Sequence, residues 1–359
     1  SFIELANRIH NSHMKVKPLL LIYFVLPMFM SFGQSKIMEE RFLPIGDIEQ
    51  WITIKGEDIT NPVILFIHGG PGSTMSQYKE DIYDSWTKEF TLVHWDQRGA
   101  GKTFGSNAPK EITDFFLANN PLSVEEMTDD GIELTQYLLK YLNKRKGIIV
   151  GPSWGSILAT KMVLKQPDLF HAYVGHAQFI NFSSNIKNAY AEIYKMASDR
   201  KDEVVIEKLE TIGPPPYSMA KNYGQLLRIV KQFEKENSTP APSSWWKIAP
   251  IYDNIKDQND RYNGDDYSFL NLVGDKNIGV KSMVNDINFE KNGLIFHLPV
   301  YMIQGSNDML TSKYINKPYF DKIRAPKKEY FLVSDAAHGF NQSIVNKQYE
   351  VIKSLRVQK

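Results

Sequence analysis

Residues 147–156 read Gly-Ile-Ile-Val-Gly-Pro-Ser-Trp-Gly-Ser, and this stretch decides the fold of the chain. The apolar run at 148–150 is typical of a buried parallel strand, and it leads directly into Gly-x-Ser-x-Gly. That pattern is typical of a nucleophile elbow, a sharp strand-to-helix turn that presents one serine hydroxyl above a sheet. Gly151 and Gly155 suit the turn because a side chain at either position would collide with the neighbouring strand or helix. The stretch therefore predicts that Ser153 is a covalent nucleophile.

The pentapeptide is short enough to arise by chance, so the prediction depends on its surroundings. After the elbow, residues 157–164 continue with apolar helical faces up to Gln166-Pro167,. Before it, Ser123-Val-Glu-Glu126 is a capping box that predicts the start of another helix,. The order helix, strand, elbow, helix is the context that the motif requires.

The rest of the chain predicts an α/β fold with a mostly parallel central sheet and helices on both faces. Strands are predicted at residues 40–45, 50–55, 63–67, 91–95, 148–150, 171–177, 299–304 and 329–333. Residues 181–296 contain helical patterns, with no series of strands, and predict a mainly helical cap over the strand ends. We therefore expect a core formed by 34–180 and 297–359, interrupted by the cap at 181–296.

The N-terminal residues predict export. Met14-Lys15-Val16-Lys17 is a short basic start, followed by an apolar run at 19–32 and by small residues at Ser31 and Gly33. This layout is typical of a secretory signal peptide, here with cleavage after Gly33. The apolar run of about 14 residues is shorter than the roughly 20 that span a bilayer. Residues 1–33 are thus excluded from the fold, and the protein is expected to be periplasmic or secreted; membrane anchoring by residues 14–33 is the alternative.

Composition narrows the classes of partner. The 359 residues include 42 basic and 41 acidic side chains, so no positive field favours binding to nucleic acid. Binding to a membrane surface is likewise not expected once the signal peptide is removed. The chain has no cysteine, which excludes disulfides, thiolate metal sites and a cysteine nucleophile.

A serine nucleophile needs a base, and the base needs an orienting carboxylate. In elbow enzymes these follow the serine in the order acid, then histidine. Asp308 comes just after the predicted strand at 299–304, and His338 follows the next strand. Of the eight histidines, His338 alone follows both the elbow and a strand-end acid. Asp335 is the alternative acid, although it stands only three residues from His338.

An oxyanion hole requires two backbone N–H groups directed at the developing charge. Trp154, the residue after the serine, is expected to supply one of them. The loop His68-Gly-Gly-Pro-Gly72 follows the strand at 63–67 and is expected to supply the other, with Gly70 favoured over Gly69.

Gly99-Ala-Gly-Lys-Thr103 is similar to the end of a phosphate-binding loop, but the match fails. A Walker A motif would need glycine at position 96, where Asp96 stands, and a dinucleotide fingerprint would need it at 104, where Phe104 stands,. No nucleotide site is expected, and Asp96 and Arg98 are expected to brace this loop by ion pairing.

Three segments together resemble the proline iminopeptidase group of the α/β-hydrolase superfamily. They are His68-Gly-Gly-Pro-Gly72, Asp96-Gln-Arg-Gly-Ala-Gly101 and Gly151-Pro-Ser-Trp-Gly-Ser156, in the family's order and at similar spacing. The resemblance covers roughly residues 61–180 and 298–345. It implies the α/β-hydrolase fold, Ser153, Asp308 and His338 as the triad, no metal or cofactor, and release of an N-terminal residue, often proline, from small peptides.

The chain departs from the family's pattern at several positions. Pro152 and Thr103 stand where the family usually has glycine and serine. The family's cap carries glutamates that bind the substrate's amino group, one of them after a tryptophan, whereas Trp245-Trp246 is followed here by Lys247. Esterase, amidase or lactonase action on small acyl substrates is therefore the alternative, and a non-catalytic ligand-binding protein of the same fold is a more remote one.

Overall fold

A computed structural model describes residues 35–78 and 82–357. Eight strands form one sheet. They are β1 (Ile37–Ile45), β2 (Ile48–Gly56), β3 (Val63–Ile67), β4 (Thr91–Trp95), β5 (Gly147–Pro152), β6 (Phe170–His176), β7 (Val300–Gly305) and β8 (Lys328–Val333). Their order across the sheet is β1-β2-β4-β3-β5-β6-β7-β8. The pairs β1–β2 and β2–β4 are antiparallel, and every later pair is parallel.

The described residues contain 11 α-helices. They are α1 (Gly101–Asn107), α2 (Asp114–Asn119), α3 (Val124–Tyr141), α4 (Trp154–Lys165), α5 (Phe182–Arg200), α6 (Glu203–Ile212), α7 (Ala220–Glu236), α8 (Ile255–Val273), α9 (Phe289–Asn292), α10 (Lys313–Lys322) and α11 (Gln342–Ser354). Ser123 caps α3 by accepting a hydrogen bond from the N–H of Glu126, as the capping box predicts,.

Successive side chains of each buried strand point to opposite sides of the sheet. Apolar residues on both sides are buried, and each face of the sheet packs against helices. On one face, Leu65 and Ile149 belong to the same core as Leu158 and Met162 of α4. On the other face, Ile64 and Ile148 pack in a second core that includes Val345 and Ile352 of α11. The predicted α/β class, with a mostly parallel sheet and helices on both faces, is confirmed.

The first two strands are longer than the sequence predicts, and a tight turn joins them. Gly46 and Asp47 both have positive φ, 56° and 61°, which is the combination required by a two-residue type I′ hairpin. This turn aligns Ile45 with Ile48 and fixes the register of the whole β1–β2 pair.

Five helices, α5 to α9, lie in the chain between β6 and β7. The helical patterns that the sequence shows in this part of the chain, at 185–196, 201–209 and 223–233, fall within or largely overlap α5, α6 and α7, respectively. Trp245 is buried in the core beneath α11, whereas Trp246 is exposed. The division into core and cap at 181 and 296 stays a prediction.

Residues 1–33, with the predicted signal peptide, lie outside the described residues. No described helix is long and apolar enough to cross a membrane.

The elbow depends on a close approach between α4 and the sheet. A Cβ atom on Gly155 would lie 2.0 Å from the carbonyl oxygen of Ile67 in β3, and one on Gly151 would lie 2.4 Å from the carbonyl oxygen of Gly155. Both distances are far below van der Waals contact with backbone atoms, which cannot rotate away as a side chain does. Glycine is therefore required at both positions.

Gly155→Ala is expected to lower the free energy of unfolding by about 1–3 kcal/mol, because the added methyl group must push α4 away from β3. Urea denaturation measures the change. Gly224→Ala in α7 is the matched control: the nearest atom to its Cβ would be 3.6 Å away, so loss of a mid-helix glycine should leave stability equal or slightly higher. Equal stability of Gly155→Ala and wild type would contradict this account of the elbow.

Candidate active site

Ser153 stands at the junction of β5 and α4 in a strained backbone conformation. Its φ and ψ are 53° and −123°, a combination that a residue with a side chain rarely adopts. The turn is held by the N–H of Ser153, which donates to the carbonyl of His176 in β6 (2.9 Å), and by the N–H of Ser156, which donates to the carbonyl of Ser153 (2.8 Å). The serine side chain is left half-buried at the C-terminal end of the parallel strands.

The structure brings Ser153, His338 and Asp308 into one hydrogen-bonded chain. Nε2 of His338 is 2.8 Å from Oγ of Ser153. Nδ1 of the same ring is 3.1 Å and 3.2 Å from the two carboxylate oxygens of Asp308. Asp308 follows β7 and His338 follows β8, so two neighbouring parallel strands place them at the same edge as the elbow. The arrangement has the geometry of a nucleophile, a base and an orienting acid.

The acid is held in its charged form. Burial disfavours the carboxylate of Asp308, but the adjacent His338 and two hydrogen bonds from Thr311 outweigh it, so the pKa of Asp308 lies below its ordinary value. The N–H and Oγ1 of Thr311 donate to Asp308 at 2.7 Å and 2.5 Å. Burial acts to lower the pKa of His338, but the charge of Asp308 and its hydrogen bond raise it above 6.5 overall.

Asp335, the alternative acid, is used elsewhere. Its Oδ2 accepts a hydrogen bond from Ser343 at 2.8 Å, and its backbone carbonyl accepts the N–H of Thr239 at 2.8 Å. The contacts of Asp335 tie the loop after β8 to α11, while Asp308 takes the position beside His338.

Both segments that are expected to supply oxyanion donors lie next to Ser153. Gly69 approaches the serine so closely that a Cβ on it would be 3.5 Å from Cβ of Ser153. Gly70 has φ of 110°, which glycine adopts without strain. Trp154 is the first residue of α4, where backbone N–H groups have no partner within the helix, and its ring is buried. The roles of Gly69, Gly70 and Trp154 as oxyanion donors stay predictions.

Three carboxylates from the helices between β6 and β7 contact the loops that carry this site. Glu234 of α7 is 6% exposed and accepts the N–H of Met309, the residue after Asp308, at 2.8 Å. Asp265 of α8 accepts the hydroxyl of Ser73 at 3.1 Å. Glu192 of α5 accepts the hydroxyl of Ser312 at 2.9 Å. The helices α5, α7 and α8 therefore each place one of these carboxylates against a segment next to the site.

The ionisation of Glu234 is coupled to the site. Burial and the nearby charge of Asp308 raise the pKa of Glu234 to about 7. Sequence reasoning missed this residue, although a signal was present. Glu234 follows Val230 by four residues and Leu226 by eight, so it falls on the buried face of an amphipathic helix,. A glutamate at such a position is unusual and needs a partner.

The loop after β4 is braced, but not entirely as expected. Arg98 forms the expected ion pair, with Nε 2.8 Å from Oδ2 of Asp130. Asp96 instead accepts hydrogen bonds from the hydroxyl of Ser76 (2.7 Å) and the N–H of Lys102 (2.9 Å). Burial raises the pKa of Asp96 to about 6.

Among residues 35–78 and 82–357, no cluster of three histidine, aspartate or glutamate side chains is arranged to hold a metal ion.

Comparisons with known proteins agree with the resemblance seen in the three segments. The α/β hydrolase fold family matches residues 62–341. The protein named "Probable aminopeptidase YbaC" of Bacillus subtilis is 28% identical over an alignment of 316 residues, which covers 84% of this chain and 90% of that protein. The proline iminopeptidase of Neisseria gonorrhoeae is 22% identical over 75% of this chain and 81% of its own length.

A solved structure agrees at the level of the fold. The proline iminopeptidase of Mycobacterium smegmatis superposes with a TM-score of 0.58 at 16% identity, over 88% of this chain and 96% of that one. The chain therefore belongs to the α/β-hydrolase fold family and is a hydrolase similar to the proline iminopeptidases.

Proposed function

We propose that the protein is a serine hydrolase that forms an acyl-enzyme on Ser153, and that it acts as an aminopeptidase of the proline iminopeptidase type on short peptides. The observation that carries the catalytic part is the unbroken chain from Oγ of Ser153 through His338 to Asp308. The names of the relatives support the peptidase part, since they include an aminopeptidase and a proline iminopeptidase.

The geometry supports the following sequence of steps. Nε2 of His338 takes the proton of Ser153 as Oγ attacks the carbonyl carbon, and the negative charge of Asp308 stabilises the resulting imidazolium. The oxyanion is met by the N–H groups of Trp154 and Gly70 or Gly69. His338 then gives its proton to the leaving amine, and the acyl group stays on Ser153 until water, activated by the same histidine, releases it.

An aminopeptidase must also bind an ammonium group, and Glu234 is the best-placed acid for this role. It is buried, it contacts the residue after Asp308, and its charge acts on His338. A substrate ammonium beside it would give this buried carboxylate a partner of opposite charge. Asp265 and Glu192 reach the same loops from α8 and α5 and are secondary candidates.

We further propose that the protein is exported, on the basis of the signal peptide predicted at residues 14–33 with cleavage after Gly33. Anchoring by the same residues is the alternative. Mass spectrometry of the N-terminus of the protein recovered from cells distinguishes the two, because cleavage leaves Gln34 as the first residue.

Ser153→Ala is expected to lower kcat on amino-acid arylamides by at least about 10⁴-fold, because the nucleophile is removed while binding is kept. Circular dichroism should show an unchanged fold. A fluorophosphonate should label wild type at one site and leave the variant unlabelled. Wild-type protein that is properly folded but neither labelled nor active would favour a non-catalytic ligand-binding protein.

Glu234→Gln tests recognition of the amino group. It should reduce kcat/KM on proline arylamide by about 10²-fold, through loss of an ion pair in a desolvated site, and change hydrolysis of a short-chain aryl ester without an amino group far less. Glu236→Gln is the matched control, since Glu236 lies on the same helix but is paired with Arg200 at the surface. Equal losses on both substrates, or high activity on esters with none on arylamides, would favour esterase, amidase or lactonase action.

The pH dependence of activity should report the ionisation of His338. The neutral imidazole is the base, so activity is lost as pH falls through a pKa that Asp308 raises above 6.5,. On an aryl ester, the acid limb of kcat/KM should therefore have its midpoint above pH 6.5. Since Glu234 also contributes to raising the pKa of His338, Glu234→Gln should move that midpoint to lower pH. An unchanged or higher midpoint would show that Glu234 does not act electrostatically on the base.

A further inference from the structure

The two segments that carry the expected oxyanion donors are joined by a side chain from a third segment. Gln97 follows β4, and it is fully buried. Its Nε2 donates to the carbonyl of His68 in the loop after β3 (2.9 Å). Its Oε1 accepts Nε1–H of Trp154, the residue after the candidate nucleophile (2.9 Å). One amide thus fixes the separation of the loop at 68–72 from the start of α4.

His68 completes this arrangement, and its partners determine its tautomer. The backbone N–H of Gln97 points at Nε2 of His68 (3.2 Å), and an N–H group only donates, so Nε2 must carry the lone pair. The proton is then on Nδ1, which donates to the carbonyl of Gly69 (2.8 Å). Burial lowers the pKa of His68 to about 4. The ring therefore stays neutral near neutral pH, and both hydrogen bonds persist.

The hydrogen bond to Gly69 has a consequence for Gly70. The carbonyl of Gly69 and the N–H of Gly70 belong to one planar trans peptide and therefore point in opposite directions. The carbonyl is held by Nδ1 of His68 and by the N–H of Ser73 (3.2 Å). Fixing the oxygen in this way fixes the direction of the N–H of Gly70 on the other side of the plane, and this N–H is the favoured second donor to the oxyanion.

We propose that His68 and Gln97 are positioning residues that hold the N–H groups of Gly70 and Trp154 in the geometry required by the oxyanion. They touch neither the substrate nor the reacting atoms. The proposal rests on the proposed function, since it assumes that Ser153 is acylated. It assigns separate tasks to the two residues: His68 sets the orientation of the peptide between Gly69 and Gly70, and Gln97 sets the distance between that peptide and α4.

The test compares His68→Ala, His68→Asn and Gln97→Met. An asparagine amide reaches the position of Nδ1 and can still donate to the carbonyl of Gly69, so His68→Asn should preserve most of the activity. The other two should lower kcat on proline arylamide by about 10²-fold with KM within about twofold, as loss of one oxyanion donor does. Gln97→Met keeps the test valid if His68→Ala does not fold.

A second readout separates positioning from general damage. Prolinal forms a tetrahedral adduct on the serine and requires the oxyanion donors, whereas proline, the product, does not. Inhibition by prolinal should weaken in parallel with kcat in His68→Ala and Gln97→Met, and inhibition by proline should not change. Gln50→Met is the matched control, because it breaks a similar buried bond, from Nε1 of Trp95 to Oε1 of Gln50 (2.8 Å); it should affect stability alone.

The outcomes are distinct. If both inhibitors weaken equally, or if Gln50→Met gives the same loss of prolinal binding, His68 and Gln97 are structural and the proposal is overturned. If His68→Asn is as impaired as His68→Ala, the bond to the carbonyl of Gly69 is not the cause. If wild type is neither active nor labelled by a fluorophosphonate, the proposed function fails instead, before any variant is compared.

Discussion

The positions of α4 and of Ser153 depend on the close contact between Gly155 and the carbonyl oxygen of Ile67. It lets α4 begin directly above β3, so that the turn between β5 and α4 closes in a single residue. That residue is Ser153. Its strained backbone persists because its N–H is bound to the carbonyl of His176 in β6 and its carbonyl is bound to the N–H of Ser156 in α4,. The serine hydroxyl is then at the edge where β7 and β8 also end, and the acid and histidine need only short loops to reach it.

Burial makes the site's charges depend on one another. Asp308, His338 and Glu234 share a desolvated region. Asp308 and His338 shift each other's pKa, and Glu234 and His338 do the same, while Asp308 raises the pKa of Glu234. Asp308 stays charged because Thr311 and His338 compensate for the lost water, whereas Glu234 has weaker compensation and a pKa near neutrality. A bound ammonium would supply what Glu234 lacks. In the proposed function, substrate binding and the basicity of His338 would therefore be linked through the same electrostatic field.

The sequence predicted most of the fold, because its signals are local. The apolar runs at 63–67 and 91–95 coincide with β3 and β4, and the motif at 151–155 requires the turn that is found. The residues Ser153, Asp308 and His338 were predicted from the elbow motif, from their places after predicted strands and from chain order. Glu234 and Gln97 were not, because their proposed roles depend on contacts between segments that are distant in the chain and carry no spacing rule. The predicted bracing by Asp96 was imprecise for the same reason.

In the proposed mechanism, the packing of α8 against the loop at 68–72 would link the choice of substrate to the speed of the reaction. Gly72 is so close to α8 that a Cβ on it would lie 2.4 Å from Cα of Asp265. A helix of the predicted cap thus also contacts the loop that is proposed to stabilise negative charge. A change in α8 that adapted it to a new substrate would therefore also act on the loop at 68–72. Divergence in specificity should therefore proceed mainly through α5, α6 and α7, with α8 changing more slowly.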